Sequence, residues 1–187
     1  YPAPLLHNAL LIPVLGIEPA KNVAKAAQIK GIPTIDKFFG VQTAQELAAE
    51  GKYADLLLGN NVLAHVPDTN DFVKGMKKIL KPRGIITMEF PHLMRLMDEN
   101  QFDTIYHEHF SYFSLITVDK IFASHGLTLF DVDELPTHGG SLRIYGKHKE
   151  DGEKAVTEKI NLILENEKAF GLQNIETYHN FRKKVEE

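Results

Sequence analysis

A chain of 187 residues, 43% hydrophobic and 25% charged, is long enough for one domain with a sizeable core and too short for two comfortable ones. It contains no cysteine, which excludes disulfides, thiolate metal sites and cysteine nucleophiles within it. With 21 Lys+Arg against 25 Asp+Glu, it lacks the basic face of a dedicated phosphate-backbone binder. No apolar stretch reaches the roughly 18–20 residues of a membrane span. Pro2, Pro4 and Pro13, with no basic cluster before them, argue against reading Pro2–Leu15 as a signal peptide. The expectation is a cytoplasmic domain that handles a small molecule, not nucleic acid or membrane.

Strand and helix patterns alternate along the chain. Ile12–Ile17 is an apolar run ending at Glu18-Pro19, and Ala20–Lys30 follows with strong helix formers and Gly31 in the capping position. Ile32–Ile35 and Thr43–Lys52 form a second, weaker strand–helix pair. Asp55–Gly59 is apolar without alternation, the pattern of a buried strand. In Asp68–Leu80 the residues Phe72, Val73, Met76, Ile79 and Leu80 share one helical face. Lys81-Pro82-Arg83-Gly84 has the composition of a turn, and Ile85–Phe90 that of a strand. Thr117–Ser124 reads as a helix closed by His125-Gly126. Leu127–Val132 and Ser141–Tyr145 are then two strands with no helix between them, so they should pair antiparallel. Glu153–Ala169 and the stretch from Ile175 onward are Glu/Lys-rich helices. The alternation implies βαβ units and a mainly parallel sheet, which binds ligands at the carboxyl ends of its strands.

Those strand ends carry the chemistry. A carboxylate at Glu18 can accept both hydroxyls of a ribose, or can simply favour the start of the following helix. Asn60 and Asn61 close the Asp55–Gly59 strand and need partners there, in loop backbone or in a ligand. His65 follows four residues after Asn61. The densest cluster is Tyr106-His107-Glu108-His109-Phe110-Ser111-Tyr112-Phe113-Ser114, where aromatic walls can desolvate a general base. The alternative is an aromatic loop packed over the sheet edge. His107-x-His109 is a weak metal signal without a third ligand. In His138-Gly139-Gly140-Ser141-Leu142-Arg143 the glycines permit a hairpin or a close approach to a ligand, and His138, Ser141 and Arg143 stand beside them.

Taken together, Gly16-Ile17-Glu18-Pro19-Ala20, Asn61–Asp68, Glu89-Phe90-Pro91, Tyr106–Ser114 and His138–Arg143 resemble the S-adenosylmethionine-dependent sugar C-methyltransferases over roughly residues 11–148. That family methylates C3 of nucleotide-linked 4-keto-deoxysugars. The resemblance implies an α/β fold: a Rossmann-like class I methyltransferase sheet, mainly parallel with a terminal antiparallel strand, followed by a helical tail. It implies S-adenosylmethionine as cofactor, with Glu18 on its ribose, Asn61 beside its methionine part and Asn60 also among the cofactor-binding residues. His109 would be the base, Tyr106 and Glu108 would lie close to the sugar and the forming enolate, and His65 near the keto oxygen or the proton-transfer path. His138, Ser141 and Arg143 would contact substrate, and no metal is required.

The sequence also departs from that pattern. The family has a Gly-rich loop before the position of Glu18, whereas Tyr1–Leu15 contains no glycine. The family's cysteine-rich zinc module and C-terminal nucleotide-sugar domain have no counterpart here. We therefore expect residues 1–149 to be a methyltransferase core lacking its first strand, and 150–187 a helical connector, both belonging to a longer enzyme. The competing expectations are a degenerate, non-catalytic binding domain, a methyltransferase for another small acceptor, and a metal-dependent hydrolase using His107 and His109.

Overall fold

The computed structural model describes residues 12–187, so Tyr1–Leu11 of the apolar N-terminal segment lie outside the described residues. Among the described residues six strands form two sheets. Strands β1 (Gly16–Ile17) and β2 (Thr34–Ile35) pair parallel. Strands β3 (Ala54–Asn60), β4 (Leu80–Pro91), β5 (Leu127–Leu135) and β6 (Ser141–His148) form a sheet of order β3-β4-β6-β5. β3 and β4 run parallel, and β6 runs antiparallel between β4 and β5. β6 is thus the one reversed strand of this sheet, as the missing helix between β5 and β6 predicts.

Helices α1 (Lys21–Ile29), α2 (Val41–Ala49) and α3 (Thr69–Ile79) are the crossovers. Gly31, with φ +80°, turns the chain after α1. Asp68 caps α3 by accepting the Asp71 N–H at 2.9 Å, and the Asp71 carboxylate accepts the Val41 N–H at 3.2 Å, tying the starts of α2 and α3 together. Helix α4 (Leu93–Asp98) was not expected; its six residues are too few to show a period. Helix α5 (Leu115–Ser124) is capped by Ser114, which accepts the Thr117 N–H. Its Phe122 packs with Phe90, Leu142 and Ile144 in the main core. Helices α6 (Glu158–Phe170) and α7 (Ile175–Glu186) follow, with Ile160 and Ile163 of α6 joining that core.

Four expectations need correction. Ile12–Leu15 is irregular, and only Gly16–Ile17 is paired. β3 is buried on one face only: Leu57 packs against Ala44, Leu47 and Ile79, while Leu56 and Leu58 stay 47% and 44% exposed on a face no described helix covers. Lys81-Pro82-Arg83-Gly84 is not a turn but an outward bulge within β4, because the register steps from Ala54↔Leu80 to Leu56↔Ile85. Finally, α6 starts at Glu158, since Lys147 donates its ammonium to the Asp151 carbonyl at 2.6 Å and Glu153 N–H bonds the Asp151 carboxylate. Those contacts fix residues 151–154 as a non-helical loop.

Candidate active site

Two short segments build the centre of the site. The loop after α4 runs from Thr104 to Phe113, and a single helical turn, Leu63–His65, follows β3. They are clamped by backbone: the N–H groups of Phe110 and Ser111 both donate to the Ala64 carbonyl, at 2.8 and 3.3 Å. This places the rings of His65 and His109 4.7 Å apart, edge to face. Tyr106 lies 4.4 Å and Tyr112 5.5 Å from His109.

The two imidazoles are oriented in the same way. His109 Nδ1 lies 3.1 Å from the Thr104 carbonyl, and His65 Nδ1 lies 2.9 Å from the Glu108 carbonyl. A carbonyl only accepts, so each Nδ1 is the donor. In the neutral ring that leaves each Nε2 with a free lone pair. The arrangement supplies two positioned, half-buried imidazoles, with His109 lying between Tyr106 and Tyr112.

A second group of contacts flanks this pair. Asn61, with φ +54°, directly follows β3; its N–H donates to the Glu89 carbonyl at 2.8 Å and its side-chain amide donates to His138 Nε2 at 2.9 Å. The Asn61 Oδ1 is buried without a partner. Below them Glu89, 6% exposed, accepts from Thr137 Oγ1 at 2.9 Å and from Arg143 at 2.8 Å. The Glu89 carboxylate beside it raises the Arg143 guanidinium above its ordinary value.

The structure therefore brings His65, Tyr106 and His109 together, and separately Asn61 with His138. Glu18 stands at the carboxyl end of β1, half-buried, where one carboxylate oxygen accepts the Ala20 N–H at 2.8 Å. Asn60 is exposed at the end of β3. Glu108 contributes its carbonyl to His65, while its side chain is exposed. Ser141 is buried and donates to the Thr137 carbonyl at 2.9 Å, which shapes the loop holding His138. Arg143 is engaged by Glu89 in the same loop base. Among the described residues no three His, Cys, Asp or Glu side chains cluster in metal-ligating fashion. The sequence reading missed Thr104 and Tyr112 as partners of His109, and Glu89 as the anchor of Arg143. A carboxylate inside the apolar run Ile85–Phe90 was the available signal for Glu89.

Residues 3–132 match the family described as Methyltransferase domain, and residues 136–187 match that described as C-methyltransferase C-terminal domain. The chain is 36% identical to C-methyltransferase NovU of Streptomyces niveus over 168 residues, covering 90% of this chain and 40% of that protein. It thus spans less than half the length of the curated relatives it matches. A solved structure of an S-adenosylmethionine-dependent methyltransferase from Anabaena variabilis superposes with a TM-score of 0.61 at 12% identity, over 78% of this chain and 72% of that one. The N-methyltransferase NodS of Bradyrhizobium japonicum, solved with S-adenosyl-L-homocysteine, gives 0.52 at 16% identity, over 73% and 66%. At such identities the structural likeness speaks to the fold.

Proposed function

The chain belongs to the methyltransferase-domain family, with the C-methyltransferase C-terminal module over residues 136–187, and from that premise we propose that it is the core of an S-adenosylmethionine-dependent C-methyltransferase acting on a nucleotide-linked keto-deoxysugar. In this reading residues 1–149 form the catalytic core, and 150–187 connect it to a further part of the enzyme. The observation that carries the reading is the His109 ring, fixed through Nδ1 and free at Nε2, beside His65 and Tyr106.

The residues present fit the cofactor. The buried, unpartnered Asn61 Oδ1 is an acceptor waiting for an N–H donor such as a protonated amine. Glu18 spends one oxygen on Ala20 and keeps the other for a ribose hydroxyl. S-adenosylmethionine, when bound, supplies an electrophilic methyl to a carbon nucleophile. The chain must make that nucleophile. A C–H next to a carbonyl is acidic enough for an imidazole once the resulting oxyanion has donors. His109 Nε2 takes the proton, the C–H electron pair moves into the carbon–carbon bond, and the carbonyl oxygen becomes the enolate oxygen. The Tyr106 hydroxyl, or His65 in its protonated form, donates to that oxygen. Proximity and alignment supply the rest.

The test is His109→Asn in the full-length enzyme, following exchange of solvent deuterium into the acceptor carbon beside the carbonyl. Exchange and methylation should both fall by at least about 100-fold; unchanged exchange removes His109 as the base. The reading as a non-catalytic binding domain draws on the glycine-free Tyr1–Leu15 segment. Calorimetry with S-adenosyl-L-homocysteine separates the two, since tight binding by the full-length protein excludes a domain that has lost its cofactor.

A further inference from the structure

Helix α6 carries one side chain that its packing does not explain. Ile160, Ile163 and Glu167 share its buried face, and Glu167 is 0% exposed. An apolar residue at 167 would complete the stripe. A buried carboxylate persists only where its lone pairs are filled. Here Oε1 accepts the Leu115 N–H at 2.6 Å and the His92 Nε2–H at 2.8 Å, and Oε2 accepts the Ile116 N–H at 2.8 Å. Leu115 and Ile116 open α5, whose first amides lack intrahelical partners and carry the positive end of the helix dipole. His92 is 1% exposed and its Nδ1 is buried without a partner, so Glu167 is what orients its ring.

These contacts reach both loops of the site. Leu115 follows directly on the Tyr106–Ser114 segment. The His92 N–H donates to the Gly140 carbonyl at 3.0 Å, in the loop that carries His138, and the Leu93 N–H donates to the Phe113 carbonyl at 2.9 Å. We propose that Glu167 is a positioning residue for the active site: from the C-terminal module, it holds, through the first amides of α5 and through His92, the two loops that set His109 against His65 and His138 against Asn61. The inference rests on the functional reading above. It makes the reacting geometry of the core depend on the docking of α6.

The experiment uses the full-length enzyme. Glu167→Gln keeps the shape, but places an N–H₂ group among three donors. We expect kcat to fall about 100-fold, with both KM values held within about twofold, and the side-chain nitrogen resonances of His109 and His138 to shift. Ile163→Ala on the same face should lower the thermal midpoint and leave kcat within about threefold. A loss of kcat below about threefold in Glu167→Gln with unshifted histidine resonances overturns the proposal. So does an Ile163→Ala variant that loses kcat as heavily. The histidine resonances are read on the resting protein, so they decide the coupling even if the wild type proves to methylate nothing. Should Glu167→Gln fail to fold, His92→Phe leaves the carboxylate on α5. Shifted His138 resonances then support the proposal, and unshifted ones overturn it.

Discussion

Asn61 and His138 meet across the site at 2.9 Å, and both hold left-handed backbone, with φ +54° and +53°. Two non-glycine residues in that region, bonded to each other, mark where the chain accepts strain to set side chains against one another. His138→Gly and His138→Val both remove the bond, but only valine meets the steric penalty of a β-branched residue at positive φ. The valine variant should be less stable than the glycine variant by about 1–2 kcal/mol in urea denaturation. Equal midpoints would show that the left-handed conformation is not imposed in solution.

Gly75 offers a test in which helix propensity and packing disagree. In the interior of α3, replacing glycine by alanine normally stabilises by about 1 kcal/mol. Here an added Cβ would lie 2.7 Å from the Gly40 carbonyl carbon, where α2 begins. Gly75→Ala should therefore destabilise by about 1–3 kcal/mol, read by chemical denaturation. A stabilised variant would mean that α2 and α3 do not approach so closely.

The Lys154 ammonium first, and then the Glu153 N–H, hold the Asp151 carboxyl down to about 2. A carboxyl lowered in the folded state stabilises it above the unfolded value of about 4, and loses that contribution as pH falls toward the folded value. Wild type should exceed Asp151→Asn in stability at neutral pH. The advantage should shrink from about pH 4 downward. A constant difference across that range would show that the loss in the variant is steric.

Asp119 has the opposite sign. Partial burial in α5 pushes its carboxyl up, so its ionisation opposes folding as pH rises through the folded value. Asp119→Asn should raise the thermal midpoint at pH 7, and the gain should vanish below about pH 4, where the wild-type carboxyl is protonated in both states. A variant less stable at pH 7 would reveal a partner for the ionised form.

The division between sequence and tertiary structure follows from the range of the interactions involved. Local patterns sufficed for the helices from Asp68 and Ile175, for the antiparallel ending of the sheet, and for the pairing of a strand end with Asn61. Period, caps and connection length act within a few residues. The candidate clusters around His65, His109 and His138 were legible as short motifs, because polar and aromatic residues gather there in the connections between elements, where a core would reject them.

What the sequence by itself determined is thus the α/β class, together with the strand-end and loop motifs that are candidates for the chemistry. Tertiary structure alone decided which of those residues meet. The Thr104 and Glu108 carbonyls choose the tautomers of two histidines, and no composition signals a backbone acceptor. Ser141 turned inward to Thr137, and Arg143 turned to Glu89, because a buried polar group takes the nearest partner the fold offers. Glu167 is the sharpest case: it is one more charged residue in a Glu/Lys-rich helix until α6 docks. Then the unpaired amides of α5, 51 and 52 positions away in sequence, make it the most buried carboxylate described.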